Sequence, residues 1–351
     1  MISAEQQELA RAVRALLAKR SDSAAVRRAV QTPRGYDETL WKTLCEQIGV
    51  AALAVPEGYG GIGASLAETQ VVLEELGRTL TPSPLLGSAV FAGQLLAALG
   101  GEAAGRLLPG IAEGVTLATV AWSGADGSWT APAITATDGT LSGTAHYVLD
   151  GDLADVVLVV ARDGDGLGVY ELPGGHGTHT PTMDTTRRLA TVTCAATPAT
   201  KLAGDAAAAA ASALRATVVA QTAEQVGAAA RILELTVAYS KDRVQFGRPI
   251  GSFQALKHRM ADLHVLVEAA RSASYAALDG TINPSVAKAY CSDAFFTVAG
   301  ECIQLHGGIA ITWEHDAHLY FKRAHASAQL FGTPDQHVRA LAPDLELEVG
   351  S

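Results

Sequence analysis

The chain has 351 residues, of which 48% are hydrophobic and only 18% charged, below the ordinary charged share of about 25%. It is long enough for two to three domains and apolar enough to bury a sizeable core, which excludes a mini-protein and a disordered chain. Twenty-six Lys and Arg against 36 Asp and Glu give a formal net charge of −10, which excludes readings built on non-specific attraction to nucleic acid or anionic lipid.

The cysteines, Cys45, Cys194, Cys291 and Cys302, form no CxxC pair, so neither a disulfide scaffold nor a structural zinc site is expected and the compartment reads as reducing. Glu5 and Glu8 fall where a signal peptide needs an unbroken apolar stretch, and no run of 18 apolar residues occurs. The expectation is a cytoplasmic protein with no membrane insertion.

In chain order, residues 1–114 read as an α-helical unit. Leu9, Val13, Leu16 and Leu17 make one helical stripe, Leu40, Leu44 and Ile48 a second, and Leu66, Val71, Leu73 and Leu76 a third that ends near Gly77. Residues 115–203 change character: they are rich in Thr, Val and Gly, with short apolar runs such as VTLATVAW and ADVVLVVA between DG and GG turns, and read as a β unit. Residues 204–351 return to helix. An Ala-rich run from Asp205 predicts a long helix buried on most sides, followed by helices over about Phe253–Leu278, Pro284–His306 and His318–Phe331, a four-helix bundle.

Gly58, Gly60 and Gly63 match the G-x-G-x-x-G of dinucleotide-binding folds, but Pro56 interrupts the strand that should precede it and no second strand ending in an acid follows. The motif reads as a tight interhelical loop. His306, His315, His318 and His325 cluster without HExxH spacing, so no metal is expected. Two motifs carry more. In DRVQFGRPIGSF, Arg243 stands at a helix-to-break junction where a guanidinium can hold a phosphate, with Phe246 placed to pack on a flat ring. In QLHGG, Gln304 precedes Gly307 and Gly308, so an amide and bare backbone face whatever lies at that helix end. Together they suit a pyrophosphate-containing cofactor.

With AVPEGYGGIG at 54–63, these motifs resemble the acyl-CoA dehydrogenase family, and the resemblance spans nearly the whole chain. It implies an α+β fold with an N-terminal helical domain, a middle β-barrel-like domain and a C-terminal four-helix bundle. It also implies FAD bound between subunits, an acyl-CoA substrate oxidised to its 2-enoyl thioester, and electron delivery to an electron-transferring flavoprotein. By the same resemblance Arg243 and Phe246 contact the pyrophosphate and adenine side of a neighbouring subunit's FAD, and Gln304, Gly307 and Gly308 complete that half-site.

The family's catalytic glutamate has no counterpart. One of its usual positions falls at Phe331 in QLFGTP, the other at Thr217 on the long helix, and neither side chain is a base at neutral pH. Glu224 is the nearest carboxylate on that helix, two turns and about 10 Å further along. It is the candidate base of this chain, with helix packing as its other reading. The flavin cradle departs as well: AWSGADGSW (121–129) and HYVLDG (146–151) replace the family's pattern, leaving Leu149 in place of a threonine and Ser123 and Ser128 as partial substitutes. The resemblance is therefore to the base-less partner subunit of bacterial α2β2 acyl-CoA dehydrogenases. The alternatives are a self-sufficient homo-oligomer with a non-standard base and a non-catalytic structural descendant.

Overall fold

A computed structural model of the protein describes residues 3–342, so residues 343–351 of the expected C-terminal unit lie outside the described residues. The N-terminal helices begin where local caps dictate. Ser3 and Gln6 form a capping box that starts α1 (Ala4–Arg20), whose Val13 and Leu17 turn inward. Asp22 caps α2 (Ser23–Ala29) and Asp37 caps α3 (Glu38–Thr43). The glycine motif forms a short 3-10 turn at Glu57–Tyr59, and a Cβ at Gly61 would overlap the Val55 carbonyl, so the loop closes on its own backbone. A second capping box, Ser65 with Glu68, starts α4 (Leu66–Thr79). A fully buried π-helical stretch, Leu85–Ala92, leads into α5 (Gly93–Leu99) and α6 (Gly101–Ala112).

The β unit comprises β1 (Ala118–Ala121), β2 (Ile134–Thr137), β3 (Thr140–Leu149), β4 (Val156–Asp163), β5 (Gly166–Pro173), β6 (Gly177–Thr180), β7 (Leu189–Pro198) and β8 (Thr200–Ala203). They form one sheet in the order β6-β7-β3-β2-β4-β5-β8, with β1 pairing in parallel along β4. β4 is apolar on both faces for a reason: Val157, Val159 and Ala161 fill the sheet's own core, while Leu158 and Val160 join the core of the N-terminal helices.

The C-terminal unit is built on α7 (Ala207–Asp242), which packs against α8 (Gln254–Leu278) and α9 (Pro284–His306), with α10 (Ala317–Gln329) and α11 (Pro334–Ala340) against α9. Between α7 and α8 a hairpin of β9 (Val244–Gln245) and β10 (Arg248–Pro249) projects outward. Residues 284–311 have the length and hydropathy of a membrane span, yet α9 is a bundle helix packed among α7, α8, α10 and α11. The α+β architecture is the expected one.

Helix α4 runs past Gly77, where the sequence suggests its end, to Thr79. Gly77 serves the packing instead. A Cβ on Gly77 would overlap the Glu224 carbonyl of α7, and one on Gly227 of α7 would overlap the Glu74 carbonyl of α4. The two helices therefore cross backbone to backbone at reciprocal glycines. Gly227→Ala must push them apart, and we expect a loss of about 2–3 kcal/mol in urea denaturation, as overpacking a tight contact costs.

Lys288 on α9 is 0% exposed. Among the described residues its Nζ meets two acceptors, Gln221 Oε1 of α7 at 2.7 Å and the Ser327 carbonyl of α10 at 2.5 Å, and no carboxylate. Two acceptors match the two N–H groups of a neutral amine and leave one proton of an ammonium unmatched. Burial accordingly pulls the Lys288 pKa down to about 7. Because the unfolded chain holds that proton up to about pH 10.4, the contribution of Lys288 to stability rises as pH climbs from about 7 towards 10. The buried thiols act in the opposite sense over the same range, so the Lys288 contribution is read as a difference: between pH 7 and pH 9 the urea-derived stability of the wild type should change more favourably than that of Lys288→Met by about 2 kcal/mol.

Candidate functional site

Phe331 follows the end of α10 in a left-handed turn, φ 62°, with Gly332 at φ 104°. The turn is held by His337, whose Nε2 lies 3.0 Å from the Phe331 carbonyl and whose Nδ1 lies 2.9 Å from Ser285 Oγ. It drives the Phe331 ring, 2% exposed, into an aromatic box: Trp129 at 4.9 Å between centroids and Phe91 at 5.5 Å, with Trp122 behind Trp129 at 6.3 Å. The Trp122 indole N–H is buried with no acceptor among the described residues. In front of the box lies an open groove of about 610 Å³ lined by Trp129, Leu214, Val218, Phe331 and His337.

Thr217, beside that groove on α7, spends its hydroxyl on the Ala213 carbonyl at 2.7 Å. Ser123 donates to the Gly124 carbonyl and Ser128 pairs with Thr130, so both hydroxyls are engaged locally, while Leu149 is buried in the core of the N-terminal helices. No carboxylate lines the groove among the described residues. The space can hold an apolar group, but it offers no carboxylate, both nitrogens of its one imidazole, His337, are engaged by Ser285 and the Phe331 carbonyl, and its inner end is filled by ring carbon.

Glu224 is elsewhere. One carboxylate oxygen accepts from Arg323 Nη1 at 2.6 Å and the other pairs with Arg187, and Arg323 continues to Asp184 at 2.7 Å and to the Thr186 carbonyl at 2.8 Å. Arg323 is 2% exposed; burial opposes its charge, but Asp184 and Glu224 outweigh burial and raise its pKa. The cluster joins α7, α10 and the segment leading into β7. Glu224 thus serves as a structural counter-ion, with both oxygens occupied. Arg187, Arg323 and Asp184 were not singled out from the sequence, because no local spacing links residues that lie so far apart in the chain.

The residues of the two sequence motifs gather at one end of the bundle. Arg243 ends α7 in an extended conformation, exposed and without an acidic partner among the described residues. Phe246, at the tip of the hairpin with φ 53°, is 91% exposed. Gly307 breaks α9 at φ 70°, and Gln304, Gly307 and Gly308 are all exposed. An unpaired guanidinium, a bare ring and accessible backbone fit the adenine and diphosphate end of FAD. The box itself is filled by the rings of Phe331, Trp129, Phe91 and Trp122 and leaves no room for a further ring between them.

Removing one partner from a buried ion cluster leaves uncompensated charge. Glu224→Gln should therefore lower stability by about 3–5 kcal/mol, read as a shift in urea midpoint, and leave FAD content per folded assembly unchanged.

Family models place residues 3–115 in the acyl-CoA dehydrogenase N-terminal domain and residues 188–345 in the acyl-CoA dehydrogenase C-terminal domain. The chain is 44% identical over 348 residues to acyl-CoA dehydrogenase IpdE2 of Mycolicibacterium smegmatis, covering 98% of this chain and 100% of that one. It is 45% identical to IpdE2 of Mycobacterium tuberculosis, covering 97% of each. Among solved structures it resembles a variant of the Tcur3481-Tcur3483 steroid ACAD (TM-score 0.89, 30% identity, 99% of each chain). It also resembles the ChsE4-ChsE5 complex of Mycobacterium tuberculosis (TM-score 0.88, 26% identity, 100% of this chain and 99% of that one). With both terminal domains matched and its full length shared with these relatives, the chain belongs to the acyl-CoA dehydrogenase family of FAD-dependent oxidoreductases.

Proposed function

We propose that this chain is the subunit that completes the FAD site of a glutamate-bearing, homologous partner in an α2β2 acyl-CoA dehydrogenase. The reading is supported by one observation: Phe331, at a position where the resemblance expects the base, is buried among aromatic rings, while Arg243, Phe246, Gln304, Gly307 and Gly308 stay exposed at the surface. FAD, when bound, supplies the two-electron acceptor for α,β-dehydrogenation of an acyl-CoA thioester. Arg243 neutralises its diphosphate, Phe246 packs on the adenine, and Gln304 with the Gly307 and Gly308 backbone hydrogen-bonds along it. The α-proton goes to a carboxylate on the partner, since Thr217 is committed to a backbone carbonyl and Glu224 to two arginines.

The two neighbours described as a steroid ACAD and as a complex of unlike chains support a steroid-derived acyl thioester as substrate and a heteromer as the assembly. The apolar side chains exposed around the half-site, Val244, Phe246, Ile309, Ile311 and Trp313, support the same view, because they need a covering chain. Electron-transferring flavoprotein as acceptor and a cytoplasmic location complete the reading.

The test is activity with a steroid-type acyl-CoA and a ferrocenium acceptor, alone and after co-expression with a partner. A general base contributes about 10²–10⁴-fold, so the isolated chain should be inactive and the pair active, with Arg243→Ala in the pair losing FAD. Activity of the chain alone that Glu224→Gln abolishes while FAD stays bound would refute the proposal and make Glu224 the base.

A further inference from the structure

Behind the exposed half-site stand three rings in tilted contact, with the His306 and His315 planes 54° apart, that the reading above leaves unused. Tyr239, one turn before Arg243 on α7, lies on the His306 ring with centroids 4.6 Å apart and planes 32° from parallel. His306, the last residue of α9 before Gly307, lies 4.3 Å from the His315 ring. His306 is 4% exposed. Its Nδ1 donates to the Cys302 carbonyl at 2.8 Å, so Nε2 carries the lone pair, and that atom has no partner among the described residues. His315 Nδ1 accepts from the Ala317 N–H at 3.1 Å, which leaves it too as a neutral ring.

We propose that Tyr239, His306 and His315 form a positioning stack that fixes Arg243 relative to Gln304, Gly307 and Gly308, and that it holds only while both imidazoles are neutral. The inference rests on the half-site reading. α7 stops at Arg243 and α9 stops at Gly307, so the spacing of the two FAD-facing segments is set by whatever packs just before those ends, and that is the stack. His315 ties it further to the N-terminal helices, since its carbonyl accepts from Arg27 and its neighbour Asp316 pairs with Arg27 at 2.8 Å.

Protonating His306 at Nε2 would create a buried donor with nothing to receive it. The surroundings do not compensate. Arg27 of α2 and Asp316 before α10 neutralise each other, and on α10 His318 packs against Trp313, itself covered by Lys322. From α7 the facing group is the neutral Tyr239, and from α9 it is the Cys302 carbonyl. Burial holds both His306 and His315 below the usual imidazole range, so the loss of the stack falls on the acid side of it.

The test titrates FAD into the flavin-stripped assembly of this chain with its partner, at about pH 7.5 and about pH 5.5. Tyr239→Ala should weaken FAD binding by about tenfold at the higher pH, and Tyr239→Phe should restore it. Wild type should lose affinity on acidification, whereas the double variant His306→Phe with His315→Phe, which keeps both rings and removes the titrating nitrogens, should lose less. Wild-type affinity in Tyr239→Ala, or equal acid loss in wild type and the double variant, overturns the stack. Arg243→Ala separates the two levels: if it also binds FAD normally, the half-site reading fails and the stack loses its role with it; if it alone loses FAD, only the stack is wrong.

Discussion

The close crossing of α4 over α7 is the constraint on which the rest of the molecule hangs. Gly77 and Gly227 let two helix backbones touch, and at that point Glu224 presents its carbonyl to α4 while its carboxylate reaches Arg187 and Arg323. One residue thereby joins the N-terminal helices, the segment entering the sheet and the C-terminal bundle. Such a node is costly to desolvate and tolerable only when every charge is matched, which is why Asp184 and the Thr186 carbonyl complete the arginine's coordination. A carboxylate so committed is a poor catalytic base.

With α7 fixed in this way, the two halves of the flavin site proposed above meet different fates. Around Phe331, which the family resemblance aligns with a position of the base, Phe91 and Trp129 close in with edge-to-face and tilted contacts that leave no room for a further ring between them. The outer half is open, charged and unpaired, as a surface is when it awaits a ligand held by another chain. On the function proposed above, a chain carrying one closed and one open half finds its use in an assembly of unlike subunits.

Much of this was legible in the sequence. Helix, sheet and bundle announced themselves through periodicity and composition, and Arg243, Phe246, Gln304, Gly307 and Gly308 through two motifs that break helices at defined points. The structure gathers those residues at one end of the bundle. Gly77 lies near the end of its helix as the sequence suggests, but its role in the close crossing was hidden, because a glycine that permits close approach and one that ends a helix look alike in a string of letters. Arg323, Arg187 and Asp184 were invisible for a different reason: buried ion partners come together through tertiary contact across long sequence separations, and no local pattern marks them. The aromatic box was half visible. Phe331 stood out as an impossible base, but its meeting with Phe91 and Trp129 depends on packing between separate units.

The count of flavin per chain in the purified assembly tests the central claim most directly. Absorbance of released FAD against the quantity of each polypeptide should give one FAD for each pair of unlike chains, with none retained by this chain purified alone. A homo-oligomer of this chain that carries one FAD per copy would contradict it, because the closed box would then have to hold a flavin ring.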